Sequence, residues 1–378
     1  MAVLTEEQSM LRDAAREWVR EKAPVKAFRA LRDGASPLGY DPAAFAEMAE
    51  MGWAGVVIPE AYGGSEFGYL SLGLVLEEMG KTLAASPLIA SSLAAASALV
   101  MAGTEAQKTE WLPKIASGET VATLAVDEGP RHDPLRTALK AEKAAGGYRL
   151  SGAKSFVLEG MAANLFIVAA RTSGAAGEAS GITLFLVPAD AKGLTRERRA
   201  LADARGYAAL KFDGVEVPTD AVLGEIDAGY PLLEQVLDRA RAGLAAEMLG
   251  MSVQAFETTL DYLKTRVQFG QTLGSFQALQ HRAARMFTEL ELTRSCVEAA
   301  LTAIDNNAPD GAQAVSLAKA VAGDTLNLVS RETVQMHGGI GMTDVHDAGL
   351  YLKRARALET TFGSTAWHRE RWGRLAGY

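Results

Sequence analysis

The chain has 378 residues, 48% aliphatic, aromatic or Cys and 22% charged, with 12 Pro and 37 Gly. These are globular proportions, enough chain for two or three domains and no signature of disorder. A net charge of −8, from 38 basic and 46 acidic residues, argues against a general nucleic-acid binder, which needs a basic face to displace counterions. The lone cysteine, Cys296, excludes an intrachain disulfide and puts a Cys-based zinc site out of reach. His132, His281, His337, His346 and His368 form no HExxH pair, so no metal site is expected.

The N-terminus is charged from residue 6 onward and does not read as a signal peptide. No uninterrupted apolar stretch reaches the ~18 residues of a spanning helix. A soluble cytoplasmic protein with no membrane partner is the expectation.

Residues 1–118 read as an α domain. Thr5 and Gln8 form a capping box, followed by Leu11, Ala14, Ala15, Trp18 and Val19 at helical spacing. Asp41-Pro42 opens a helix that ends near Gly52. Further helices are predicted over Leu70–Ala84 and Pro87–Met101, and a second capping box, Thr104 and Gln107, opens another that runs to about Ala116. Residues 119–225 read as a β domain, a barrel or sandwich of short apolar or alternating runs bounded by Gly, Pro and Asp. The flexible SGAAGEASG loop, 173–181, is its expected hairpin tip. Residues 226–378 are helical again, with long amphipathic runs over 230–265, 275–304 and 312–336 and shorter ones near 346–357 and 364–375. A four-helix bundle is the expected packing. The fold class is therefore α+β, in the order α, β, α.

Three stretches could carry chemistry. Around the corner in RVQFGQTLGSFQALQH, 266–281, Arg266, Phe269 and Gln277 cluster. A guanidinium beside aromatic and amide groups suits a pyrophosphate and a planar ring; the same stretch also reads as an ordinary helix–helix corner. In QMHGGIGM, 335–342, Gly338, Gly339 and Gly341 permit close backbone approach. They follow a helix instead of a strand, so a Rossmann fingerprint is excluded and a helix C-cap is the alternative. The 52–64 loop, GWAGVVIPEAYGG, reads alone as a tight turn.

Taken together, the α–β–α order and these three stretches resemble the acyl-CoA dehydrogenase family over essentially the whole chain. The resemblance is particularly to small subunits of pimeloyl-CoA dehydrogenase-type heteromeric enzymes. It implies bound FAD and an acyl-CoA thioester oxidised to its 2,3-enoyl form, with an electron-transferring flavoprotein as acceptor. It implies a homodimer, a homotetramer, or a heterotetramer with a second acyl-CoA dehydrogenase-like subunit. It assigns Arg266, Phe269, Phe276, Gln277, Gln335, Gly338 and Gly339 to FAD, together with Phe156 and Leu158 at the ring, and places Val126, His132 and Arg241 on the substrate side.

The family's catalytic base is a carboxylate, and here both of its positions are empty. One matches Phe362, before Gly363-Ser364; the other matches Ala240, before Arg241. Glu247 and Glu359 are the remaining, weaker candidates for a relocated base. The β domain departs similarly: Val126 stands for a Thr, His132 for a Ser, Phe156 for a Trp and Leu158 for a hydroxyl that meets the flavin ring. The retained residues are mostly those which, in this family, reach a neighbouring subunit's FAD. The expectation is a chain that lends cofactor-binding residues to a catalytically complete partner. A self-sufficient flavoenzyme with a relocated base and a non-catalytic acyl-CoA-binding scaffold are the rivals.

Overall fold

The computed structural model describes residues 4–378. Helix α1, Glu6–Glu21, starts at Thr5, whose hydroxyl accepts the Gln8 amide while the Gln8 side chain caps Thr5 in return. Helices α2, Val25–Asp33, α3, Pro42–Glu50, and α4, Tyr69–Thr82, follow. The helix expected over Pro87–Met101 is not uniform. Ile89–Ala95 is π-helical, with Leu93 N bonded to Leu88 O at 2.8 Å, and α5 proper is Ala96–Ala102. Small buried residues, Ala90, Ser91, Ala94 and Ala95, let this wide turn lie against strand β1, Ala122–Ala125, where Ala122 N donates to Ser91 Oγ at 3.0 Å. The second capping box opens α6, Glu105–Ala116.

The β region is one mixed eight-stranded sheet. After β1 come β2, Lys140–Ala144, β3, Gly147–Val157, β4, Leu165–Arg171, β5, Ile182–Pro188, β6, Leu194–Arg198, β7, Ala208–Pro218, and β8, Val222–Leu223. Their order is β6-β7-β3-β2-β4-β5-β8, with β1 parallel to β4 off this path. The 173–181 loop does join the antiparallel pair β4 and β5. Leu150, Phe166, Val168, Phe185, Val187, Phe212 and Val215 belong to the sheet's buried cluster. Strands β2 and β6 were not among the predicted runs: KAEKA and LTRER are too charged to read as strands, and they hold their place by pairing with β3 and β7.

The remaining helices are α7, Gly229–Thr265, α8, Gln277–Asp305, α9, Gly311–His337, α10, Ala348–Thr360, and α11, Thr365–Leu375. The corner between α7 and α8 contains a small hairpin, β9, Val267–Gln268, and β10, Gln271–Thr272.

The compact units do not follow chain order. One takes the described residues up to Arg29, Gly73–Ala84 and Arg241–Tyr378; the other takes Ala30–Leu72 and Ala85–Ala240. Within the first unit, α9 packs against α8, α10 and α11. There α4 and α7 meet at two glycines: a Cβ on Gly80 would stand 2.2 Å from Glu247 O, and one on Gly250 would stand 1.8 Å from Glu77 O. Only bare backbone permits that approach, and it fixes the stretch of α7 that carries Glu247. No helix of the described residues is long and apolar enough to cross a membrane.

Candidate functional site

Arg266, Phe269, Phe276 and Gln277 sit on the α7–α8 corner. Phe269 and Gly270 are the two central residues of the β9–β10 turn, with φ of 55° and 79°. Two consecutive left-handed residues twist the chain as a tight hairpin requires, a role usually given to Asn-Gly or Asp-Gly. A phenylalanine there costs about 1–2 kcal/mol of backbone strain. Phe269 is 89% exposed, and its ring packs edge-on to Phe276 at 6.2 Å. Arg266 and Gln277 are exposed, and their side chains make no hydrogen bond among the described residues.

Gln335, Gly338 and Gly339 are exposed at the end of α9. Gly338 closes that helix with φ 63°, and a Cβ on either glycine would meet nothing within 4 Å. These glycines therefore answer no packing need of their own unit, while leaving backbone open to a ligand. Tyr262, near the end of α7, stacks on His337 with ring centroids 4.4 Å apart. That contact joins the end of α9 to the helix that leads into the corner.

In the other unit, the positions expected at the flavin ring and on the substrate side carry different chemistry. Phe156 lies at a bulge of β3, with φ 53° and 43% exposed. Leu158 and Val126 are buried and offer only hydrocarbon. His132 is buried, its Nδ1 2.9 Å from each Asp127 carboxylate oxygen. Lys154 is fully buried; its Nζ donates to Val126 O at 2.8 Å and to Glu128 Oε1 at 2.7 Å. Burial pushes the Lys154 amine down, and the adjacent Glu128 carboxylate opposes that shift. A surface cavity of about 400 Å³ lies beside this loop, lined by Val126, Glu128, Arg131 and Asp133 among others. The residues present do not fit the polar edge of a flavin ring, because the buried Leu158 offers only hydrocarbon there. The corner and the α9 terminus do fit the anionic half of such a cofactor.

Neither residue that the resemblance places at the family's base positions is titratable. Ala240 is fully buried, and Phe362 is 7% exposed with φ 54°. The backbone of the Phe362 loop is tied down on several sides. Phe362 O accepts from Arg241 Nε at 3.1 Å and lies 3.2 Å from His368 Nε2. Lys319 Nζ donates to Leu358 O at 2.9 Å and to Glu359 O and Gly363 O at 3.3 Å each. Burial pushes the Lys319 amine down to about 7. Arg241 is fully buried and lies over the Trp367 ring at 4.6 Å.

The two candidate relocated bases are both held by arginines. Glu247 Oε1 accepts from Arg354 Nε at 3.0 Å and Nη2 at 2.8 Å, and both residues are buried. Glu359 pairs with Arg356 at 3.3 Å near the surface. Lys154, Lys319 and His368 were not singled out from the sequence. A signal existed for Lys319, which interrupts the apolar run AVSLAKAVAG. No group of three or more potential metal ligands occurs among the described residues.

Three family descriptions match in succession: "Acyl-CoA dehydrogenase, N-terminal domain" over residues 5–119, "middle domain" over 126–216 and "C-terminal domain" over 227–376. The mitochondrial isovaleryl-CoA dehydrogenase of Pongo abelii is 32% identical over 382 residues, covering 96% of this chain and 86% of that protein. Among solved structures, the Tcur3481–Tcur3483 steroid ACAD superposes with a TM-score of 0.88 at 33% identity, covering 98% of both chains. The ChsE4–ChsE5 complex from Mycobacterium tuberculosis superposes with a TM-score of 0.90 at 26% identity, covering all of both chains.

Proposed function

The chain belongs to the acyl-CoA dehydrogenase family of FAD-dependent oxidoreductases, and we propose that it is the base-lacking subunit of a heteromeric acyl-CoA dehydrogenase. In this reading it lends Arg266, Gln277 and the Gln335–Gly339 segment to FAD seated in a second, catalytically complete subunit. FAD supplies the hydride acceptor when bound, and an electron-transferring flavoprotein takes the electrons onward.

One observation carries the reading. Phe362 and Ala240 occupy both base positions, and the two glutamates that could replace a base are engaged by Arg354 and Arg356. Proton removal from a thioester α carbon needs a carboxylate held free and close. The exposed, strained Phe269 and the open Gly338–Gly339 backbone support lending, because both face out of their own unit. The ChsE4–ChsE5 complex, which pairs two differently named chains, supports a heteromeric arrangement.

Flavin counting tests the proposal. Co-expressed with a complete partner, the complex is expected to hold about one FAD per two chains, while the isolated chain purifies poorly loaded. Arg266→Ala is expected to lower the complex's flavin content and turnover without dissociating it. Stoichiometric flavin in the isolated chain, together with enoyl-CoA production, overturns the proposal. An assembled Arg266→Ala complex with undiminished flavin and turnover reduces the chain to a scaffold.

A further inference from the structure

Two histidines meet directly behind the cofactor-lending end of α9. The His337 and His346 rings are 4.2 Å apart, and Tyr262 stacks on His337 from α7. Each imidazole is held in a defined neutral tautomer. His337 Nδ1 lies 2.7 Å from Thr333 O. A carbonyl can only accept, so Nδ1 carries the proton and Nε2 is bare. That Nε2 is buried and has no hydrogen-bond partner among the described residues. His346 Nδ1 accepts the Ala348 amide at 3.1 Å, at the start of α10, so its proton sits on Nε2. Adding a proton to His337 therefore has a cost, because it creates a buried N–H with no acceptor.

The segment between these histidines is the Gly338–Met342 turn and its continuation to Asp347. Arg29 anchors the far side, with Nε and Nη2 on Asp347 at 2.8 and 2.7 Å and Nη1 on Asp344 O at 2.7 Å. From α10, Tyr351 directs its hydroxyl to Lys81 O. The near side is held by the ring stack. Burial and the neighbouring His346 both push His337 below the ordinary imidazole range, while its bond to Thr333 O opposes them.

We propose that the His337–His346 pair is an acid-sensitive latch, which keeps the 338–347 segment closed at neutral pH and releases it on acidification. Resting on the lending reading above, the latch makes cofactor lending pH-dependent: Gly338 and Gly339 are presented to the partner's FAD only while the His337 ring is neutral. The sign follows from linkage. An opened segment frees His337 to take a proton at its ordinary pKa of about 6.5, and the closed segment resists it. Stability of the closed state is therefore full above about 6.5 and declines as pH falls below it.

Amide hydrogen exchange on the full chain, corrected for the intrinsic pH dependence of exchange, reads this directly. Protection of 338–347 is expected to fall at least about fivefold between pH 7.5 and 5.5, with α8 unchanged. His337→Phe, which keeps the stack without a titrating group, should flatten the profile. His346→Gln alters only the half-exposed ring and should reduce the fall, providing a second test if His337→Phe does not fold. A wild-type profile that is flat, or one that neither substitution changes, overturns the latch. Flavin counting on the complex at both pH values separates the two readings. A segment that loosens while flavin stays bound leaves the latch standing and overturns the lending.

Discussion

Glu247 Oε1 accepts two bonds from Arg354, an engagement that disfavours it as a base. A carboxylate and a guanidinium that are both buried are expensive to separate, since removing one leaves the other charge without compensation. Glu247→Gln is therefore expected to lower stability by about 3 kcal/mol, read as a fall in the urea midpoint at unchanged slope. Glu359→Gln touches only a surface pair with Arg356, and about 0.5 kcal/mol or less is expected. Neither change should alter the complex's turnover beyond what lost stability explains; a selective loss of turnover in Glu247→Gln returns it to the chemistry. The identity of Phe362 and Ala240 was legible in the sequence, because a missing carboxylate is a fact of composition at one position. Glu247's engagement was not: its partner lies 107 residues away on another helix.

Elements built from local signals were legible. Both capping boxes close as predicted, at Thr5 with Gln8 and at Thr104 with Gln107, because the interaction spans three residues. The π-helical stretch was hidden, since an Ala- and Ser-rich run has the same composition whether it winds as α or π. The β9–β10 hairpin was expected only as a turn, because Phe-Gly is an uncommon sequence for it. That mismatch motivates a test on the element. Phe269→Gly relieves the left-handed strain and is expected to leave the isolated chain as stable or about 1 kcal/mol more stable. The same change removes an exposed ring that contacts little within its unit, so flavin retention in the complex should fall. Lower stability with unchanged flavin retention would show that the phenylalanine serves the hairpin and not the cofactor.

At the scale of the molecule, the order of helical, β and helical segments was legible from hydrophobic period and turn residues. The grouping into compact units was not, because it depends on contacts such as Gly80 with the backbone at Glu247 that join distant segments. The same long-range logic governs what restoring a base would do. Phe362→Glu places a carboxylate on a loop whose carbonyls are already held by Lys319, Arg241 and His368. It changes nothing at Leu158, which is buried in the other unit without a polar group to offer a flavin ring. Under the proposed lending role these two positions act independently, so changing one should not give the isolated chain turnover. Phe362→Glu alone is expected to leave the isolated chain flavin-poor and without enoyl-CoA product. Adding Leu158→Thr should raise flavin retention several-fold, because the restored hydroxyl removes an unsatisfied contact of about 1–3 kcal/mol. Flavin absorbance after gel filtration separates these outcomes. Activity from Phe362→Glu alone would mean that the ring side was competent throughout, and that the missing carboxylate is this chain's sole departure from a working dehydrogenase.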